Sequence, residues 1–255
     1  MLATSLPIGL RLAIYLAAGI AAGISNGIAG GGTFITFPTM LALGVPALQA
    51  NVSSSVGVLP SYVGGIRGYR LELTRRWPLV RQLLPACLGG VSLGAALLLL
   101  GSPGTFRSIV PWLILTATVL FALGPWLTKR IAHLGHHGLR MRALHVGMFV
   151  VSIYGGYFGA GLGIMLLALM GLTLPDDLDT LQGLRSALST IINAIAALIF
   201  LVRGHLVIEA VVMLLLGTLI GGYLGTRLIK RLKPMTVRIL ICCIGIGTAI
   251  NLLLR

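Results

Sequence analysis

Apolar residues run through this chain in long blocks, each closed off by charged residues, proline or glycine. Ten blocks stand out, at 8–28, 32–44, 51–68, 79–100, 106–128, 143–158, 161–174, 181–202, 207–227 and 235–254. Most approach the ~20 residues that a helix needs to cross the hydrocarbon of a bilayer, and the pattern predicts a helix for each. The second and seventh are too short to cross. At 1.5 Å per residue they rise only ~20 Å, against about 30 Å of hydrocarbon. Both follow a Gly-rich break, so each is expected as one arm of a hairpin that turns inside the membrane. Whether segments 1, 2, 6 and 7 cross fully or form only hairpins stays open.

Composition makes lipid the expected solvent. Of the 255 residues, 57% are hydrophobic and 9% are charged, where a soluble domain carries roughly 25% charged residues. Mean hydropathy is +1.02. A water-soluble fold needs polar surface over its core, and this chain has too little. A soluble enzyme, a nucleic-acid-binding domain and a disordered tail are thereby excluded. Cys87, Cys242 and Cys243 all fall inside apolar runs and read as small packing residues. No basic stretch precedes the first apolar run, so no cleaved signal peptide is expected.

The formal charge of +14 is concentrated between the apolar runs. Three clusters hold 14 of the 19 Lys and Arg: Arg67, Arg70, Arg75, Arg76 and Arg81; Lys129, Arg130, Arg140 and Arg142; Arg227, Lys230, Arg231, Lys233 and Arg238. That is the positive-inside pattern of a multi-pass protein. It sends loops 3/4, 5/6 and 9/10 to the cytoplasm, loops 4/5 and 8/9 to the outside, and both termini outside. Loop 7/8, with Asp176, Asp177 and Asp179, falls inside. His133, His136 and His137 sit in the linker, where no ligand geometry is fixed, and read as solvated residues rather than metal ligands.

The two halves resemble each other. Gly27-Ile-Ala-Gly-Gly-Gly32 aligns with Gly156-Tyr-Phe-Gly-Ala-Gly161, and the register holds to Pro46 and Pro175. Gly90-x-x-x-Gly94 matches Gly221-x-x-x-Gly225. The reading is an all-α polytopic membrane protein of two repeats of about five segments, with two short re-entrant hairpins. An odd number of segments per repeat makes the topologies inverted. The expected divisions are 1–128 for the N-terminal repeat, 129–142 for a basic cytoplasmic linker and 143–255 for the C-terminal repeat.

Within that frame a few polar groups can carry chemistry. Gly30, Gly31 and Gly32, and Gly159 and Gly161, precede short helices. Such turns leave N–H groups at the positive end of a helix dipole, able to hold an anion; tight helix crossing at small residues is the other reading. Asn51, Ser54 and Ser55 share a face of segment three, which Ser61 and Tyr62 extend by a turn. Ser186, Ser189, Thr190 and Asn193 do the same in segment eight. These stripes line a cavity or form hydrogen bonds between helices. Arg185 stands outside the basic clusters, one turn before the second stripe. It either neutralises an anionic substrate or pairs with Asp179 or Asp177, or snorkels to the interface. Arg203 and His205 read as boundary residues, with Glu209 neutralising one of them. Gly217, Gly221 and Gly225 form a packing face, within the fold or between protomers of a homo-oligomer.

No Asp or Glu lies in the middle of an apolar segment, which argues against a carboxylate proton relay. No catalytic constellation sits at membrane depth, and nothing in the sequence calls for a cofactor or a metal.

The glycine turn at 27–32, Gly44-Val-Pro46, Asn51-Val-Ser-Ser-Ser and Gly68-Tyr-Arg70 resemble the TauE/SafE family of sulfite exporters. So do Leu184-Arg185, Asn193-Ala-Ile-Ala-Ala-Leu-Ile-Phe200 and Gly204-His-Leu-Val207 in the second half. Arg185 stands where that family often carries Lys, which keeps the cation and changes the group. The resemblance implies a transporter of small anions, often sulfur-containing (sulfite, sulfonates and related carboxylates), in a bacterial inner membrane. The expected binding residues are Gly30, Gly31, Gly32, Asn51, Ser54, Gly159, Gly161, Arg185, Ser189 and Asn193, and the expected partners are a small anion and the lipid bilayer, not nucleic acid. A substrate-free scaffold or assembly subunit and an anion channel are the alternatives.

Overall fold

The computed structural model describes residues 6–28, 31–62, 66, 69–133, 141–228 and 234–254, with the backbone alone at 27–28, 125, 127–133, 226–228 and 234–238. Within them the chain is all helical, without a strand. Its ten α-helices are α1 (Ile8–Ile28), α2 (Thr33–Ala42), α3 (Ala47–Gly57), α4 (Arg70–Leu100), α5 (Pro103–His133), α6 (Met141–Tyr157), α7 (Leu162–Thr173), α8 (Leu178–Arg203), α9 (Ile208–Leu228) and α10 (Pro234–Leu253). A 3-10 turn, Leu59–Tyr62, follows α3.

Stretches of α1, α4, α5, α8 and α9 are long and apolar enough to cross a membrane. Helices α2 and α7, of 10 and 12 residues, rise only about 15–18 Å, as the short second and seventh apolar blocks predict. Large apolar side chains face outward, among them Leu100, Trp112, Val202 and Leu254, while Asn51, Ser53 and Ser54 are fully buried. Lipid outside and polar groups inside account for this arrangement, because hydrocarbon offers a polar group no partner.

Three elements depart from the sequence pattern. Segment three does not run unbroken to residue 68: α3 stops at Gly57 and the chain tightens into the turn at Leu59–Tyr62. Pro60 lacks an N–H and disfavours the α conformation at Leu59, which ends the helix there. Helix α4 begins at Arg70 rather than near 79, so Arg70, Arg75, Arg76 and Arg81 stand on a helix and not on a loop. Arg, Leu and Glu are good helix formers and carry the helix through its charged first turns. Helix α5 likewise continues to His133, past the expected boundary at 128. Residues 134–140 of the linker, with His136, His137 and Arg140, and the cations Arg67, Lys230, Arg231 and Lys233 lie outside the described residues, while Arg142 stands on the first turn of α6.

Two long helix pairs form the frame: α1 along α9, and α4 along α6. Glycines permit both. A Cβ on Gly23 would lie 2.6 Å from the Thr218 carbonyl oxygen, and one on Gly217 2.5 Å from that of Leu16. Gly221 and Gly225 abut the backbone of Ile20 and Ile24, so α1 fills the face that Gly217, Gly221 and Gly225 present. In the other pair Gly94 abuts the Ile153 carbonyl and Gly156 that of Val91. Close backbone approach is the packing mode of small residues in lipid. Four further contacts repeat with an offset of five helices. α1 meets α2 as α6 meets α7, α2 meets α3 as α7 meets α8, α2 meets α10 as α7 meets α5, and α3 meets α9 as α8 meets α4.

Candidate functional site

The break between α6 and α7 is the meeting point of the polar residues. Its shape rests on Gly159 and Gly161, at φ +75° and +76°, a left-handed conformation that glycine adopts without steric cost. Gly161 occupies the N-cap position of α7 and no side chain caps that helix; the Leu162 and Ile164 N–H groups close back on the Gly159 and Gly161 carbonyls, at 3.2 and 3.0 Å. The Tyr154 hydroxyl donates to the Ala160 carbonyl and braces the break from within α6.

Three predicted side chains converge here. Asn51, from α3, donates through Nδ2 to the Tyr157 carbonyl oxygen at 3.0 Å. Its Oδ1 is buried without a hydrogen-bond partner. Asn193, from α8, donates to the Ser189 carbonyl at 2.8 Å. A Cβ on Gly159 would lie 3.8 Å from Asn193 Oδ1. Arg185, two turns into α8, is half-buried and reaches the first turn of α7: a Cβ on Gly163 would lie 3.5 Å from its Cδ and 3.8 Å from Nη1.

No carboxylate neutralises Arg185 among the described residues. Asp176 and Asp177, before and at the start of α8, are engaged elsewhere. Asp176 accepts from Arg76 Nε at 2.9 Å and from its Nη2. Asp177 caps α8, accepting from the Thr180 N–H at 3.0 Å. Hydrogen bonds from the Thr180 side chain and backbone hold the Asp177 carboxyl below the usual carboxylate range. Tyr69 and Tyr62 lie within electrostatic reach of Arg185. Glu209 pairs with Arg11 of α1 rather than with Arg203 or His205, because the α1–α9 packing brings two residues 198 apart in sequence side by side.

The glycine break between α1 and α2 is built differently. The Gly32 N–H is taken by Asn26 Oδ1 at 2.6 Å, and Asn26 Nδ2 donates to Ser61 Oγ at 2.7 Å. Gly31 has φ +85°, and a Cβ there would lie 2.9 Å from the Phe121 ring. Gly30 lies outside the described residues. Both breaks nevertheless rest on one face of α5. A Cβ on Gly161 would lie 3.5 Å from Ala117 Cβ, and Ala117 and Phe121 are one helical turn apart.

The two polar stripes behave unlike each other. In α8, Ser186 donates to the Gln182 carbonyl, Thr190 to Ser186 and Asn193 to Ser189, all within the helix. In α3 Ser55 likewise donates within the helix, to the Asn51 carbonyl at 2.9 Å, but the other bonds reach out: Asn51 to Tyr157, Ser54 Oγ to Met40 Sδ at 3.5 Å, and the Val207 N–H to Ser53 Oγ at 3.0 Å. The structure therefore brings Asn51, Asn193, Arg185 and Gly159 together. It places Ser54 against Met40, uses Ser189 through its carbonyl, and seals Gly32 with Asn26. Sequence reasoning passed over Asn26 and Tyr154. Asn26 had a signal, an amide directly before a run rich in glycine; Tyr154 had none.

A family model described as sulfite exporter TauE/SafE matches residues 15–252. A "Probable membrane transporter protein" of Haemophilus influenzae is 27% identical over 224 residues, covering 82% of this chain and 83% of that protein. A "Probable membrane transporter protein ORF9" of a Sinorhizobium species is 26% identical over 232 residues, covering 88% of this chain and 85% of the other.

Proposed function

The chain belongs to the sulfite exporter TauE/SafE family, and from that premise we propose that this multi-pass membrane transporter carries small anions, sulfite, an organosulfonate or a related small carboxylate, by alternating access around a midplane site. The observation that carries the reading is the position of Arg185: a half-buried guanidinium without an acid partner among the described residues, beside the start of α7. A guanidinium offers a paired hydrogen bond to two oxygens of one oxyanion. The α7 start adds the favourable end of a helix dipole. Asn193 and Asn51 each give one amide hydrogen to a carbonyl and have a second with which to orient an anion.

The five-helix offset in the packing supports two repeats related by inversion, with α1–α2 and α6–α7 as the paired hairpins. Rocking one hairpin-bearing unit against the frame would then open the site to alternate sides. The basic clusters support a cytoplasmic placement of loops 3/4, 5/6 and 9/10 in the inner membrane. Apolar segments without a central carboxylate favour facilitated diffusion, or a proton carried by the substrate's own acid group.

The test is ligand-induced stabilisation of the purified protein. A ligand that binds the folded state raises its melting temperature by mass action. Sulfite or a small sulfonate is expected to raise it, Arg185→Ala to abolish the rise and Arg185→Lys to retain part of it. No rise with any anion in the wild-type protein would favour the substrate-free scaffold.

A further inference from the structure

Two buried amides at the second glycine break have their orientation fixed by the carbonyls they bind. Asn51 gives Nδ2 to the Tyr157 carbonyl at 3.0 Å, and Asn193 gives Nδ2 to the Ser189 carbonyl at 2.8 Å. Turning either amide over would set oxygen against oxygen. Each residue is therefore left with its Oδ1 as an acceptor. Asn193 Oδ1 lies 3.8 Å from the Cβ position of Gly159. Asn51 Oδ1 lies within about 5 Å of the Tyr157 carbonyl oxygen, by the dimensions of an amide. Both side chains are buried, Asn51 at 0% and Asn193 at 3% exposure.

Asn51 Oδ1 has no hydrogen-bond partner among the described residues. A buried acceptor in that condition calls for a donor, because it has given up water without a replacement. Hydroxyls in the same condition, such as those of Thr36 and Ser152, can rotate toward other groups; the pinned amide cannot. Arg185, the cation that reaches the first turn of α7, supplies donors only. The site thus combines a positive charge, which calls for an anion, with acceptor oxygens, which a fully deprotonated oxyanion cannot satisfy.

We propose that the site selects oxyanions that carry their own hydrogen-bond donor, so that sulfite is bound as hydrogen sulfite, the singly protonated form, and not as the dianion. The proposal rests on the transport reading above and names the protonation state of its substrate. The ligand's oxygens take the Arg185 guanidinium and the second amide hydrogens, and its proton is given to Asn51 Oδ1, with Asn193 Oδ1 as the neighbouring acceptor. No side chain changes protonation, since the proton stays on the ligand. Charge alone predicts the opposite order, because a guanidinium draws a dianion more strongly than a monoanion. At the break stand Arg185 of α8 and Tyr154 and Tyr157 of α6. Further off are Tyr62, within reach of Arg185, Glu72 of α4, against Gly183, Glu209 of α9, paired with Arg11, and the exposed His205.

Calorimetry on the full-length wild-type protein tests this, with sulfite and chlorate as ligands on either side of the second ionisation of sulfurous acid, which lies near neutral pH. Chlorate has the pyramidal shape of sulfite and the single charge of hydrogen sulfite, but no proton and no ionisation in this range. It therefore reports any titration of the protein's own groups. Sulfite is expected to bind about tenfold more weakly for each pH unit above its ionisation, as the competent fraction falls. Chlorate is expected to bind at least about tenfold more weakly than hydrogen sulfite, at every pH alike. Asn51→Leu should narrow the gap between hydrogen sulfite and chlorate; the wild-type comparison decides the matter even where that variant does not fold. Sulfite binding that holds or tightens as the dianion forms overturns the proposal and leaves the Arg185 site standing. So does a parallel fall for chlorate, since a protein group then titrates, and so does a gap that Asn51→Leu leaves unchanged. Sulfite that binds on neither side overturns it too, and if the melting temperature responds to no other anion, the transport reading falls with it.

Discussion

Asn51 on α3 donates to the Tyr157 carbonyl at the end of α6, 3.0 Å away, and so pins a helix of the first half to the broken segment of the second. The bond closes the accounts of a carbonyl at a helix end, where intrahelical partners run out. It also fixes the side on which the unpartnered Oδ1 of Asn51 is left.

Replacing Asn51 separates these two roles. Asn51→Leu removes the donor and leaves the Tyr157 carbonyl unpaired, with an expected loss of about 1–3 kcal/mol. Asn51→Asp costs more, because a carboxylate in a buried site faces a carbonyl oxygen and lacks the donor. Thermal melting of the two variants without ligand should show the Asp variant as the less stable; the reverse order would mean that the bond to Tyr157 is not the main role of the amide.

Gly161 tests the break itself. Its Cβ position is open, with nothing nearer than 3.5 Å, yet its φ is +76°. The cost of Gly161→Ala is therefore conformational, roughly 1–2 kcal/mol, and Gly161→Asn should cost less because Asn tolerates the left-handed region. Melting temperatures in the order Gly, Asn, Ala are expected. An Ala variant as stable as the parent would mean that the break relaxes to another backbone conformation.

The α1–α9 contact makes the opposite case, in which space decides. A side chain at Gly221 would collide with the backbone of Ile20, whereas one at Gly9 meets nothing within 4 Å. Gly221→Val should lose at least the 1–3 kcal/mol or so typical of overpacking and reduce the yield of folded protein. Gly9→Ala should gain about 0.5–1 kcal/mol from helix propensity. Size-exclusion profiles in detergent and melting curves read both effects.

The Arg76–Asp176 pair is unevenly exposed, the two side chains at 40% and 8%. Removing Arg76 strands a buried carboxylate, whose Oδ2 already lacks a partner. Removing the charge of Asp176 strands only a guanidinium that reaches water. Arg76→Ala is expected to destabilise by about 1–3 kcal/mol, and Asp176→Asn by less. Combining the two should cost less than the sum of the separate losses, and a double-mutant cycle measures the difference. Simple additivity would show that the two side chains do not support each other.

Hydropathy made most of the fold legible, since helix length and lipid exposure are properties of a stretch of chain. The two short helices after glycine breaks, the polar stripes and the odd position of Arg185 could all be read along the sequence. Helix ends were less legible. Basic residues with good helix propensity extended α4 back to Arg70, and Pro60 cut α3 short. Partner assignments for charged groups were the weakest. Sequence proximity suggested Glu209 with Arg203 or His205 and Arg185 with Asp177 or Asp179, but ion pairs follow helix packing. Asp177 was claimed by the start of its own helix, and Glu209 by Arg11 across the α1–α9 contact.

The amino-acid sequence alone determined that this chain lives in lipid, that it is helical, and which few polar residues could matter, because each follows from the local cost of placing side chains in hydrocarbon. Only the tertiary structure decided that Asn51, Asn193 and Arg185 meet at the second glycine break, that Asn26 closes the first, and that both breaks lean on one face of α5. Those relations join residues far apart in the chain. They exist only once backbones interlock at glycines, and no local pattern encodes which helix faces which.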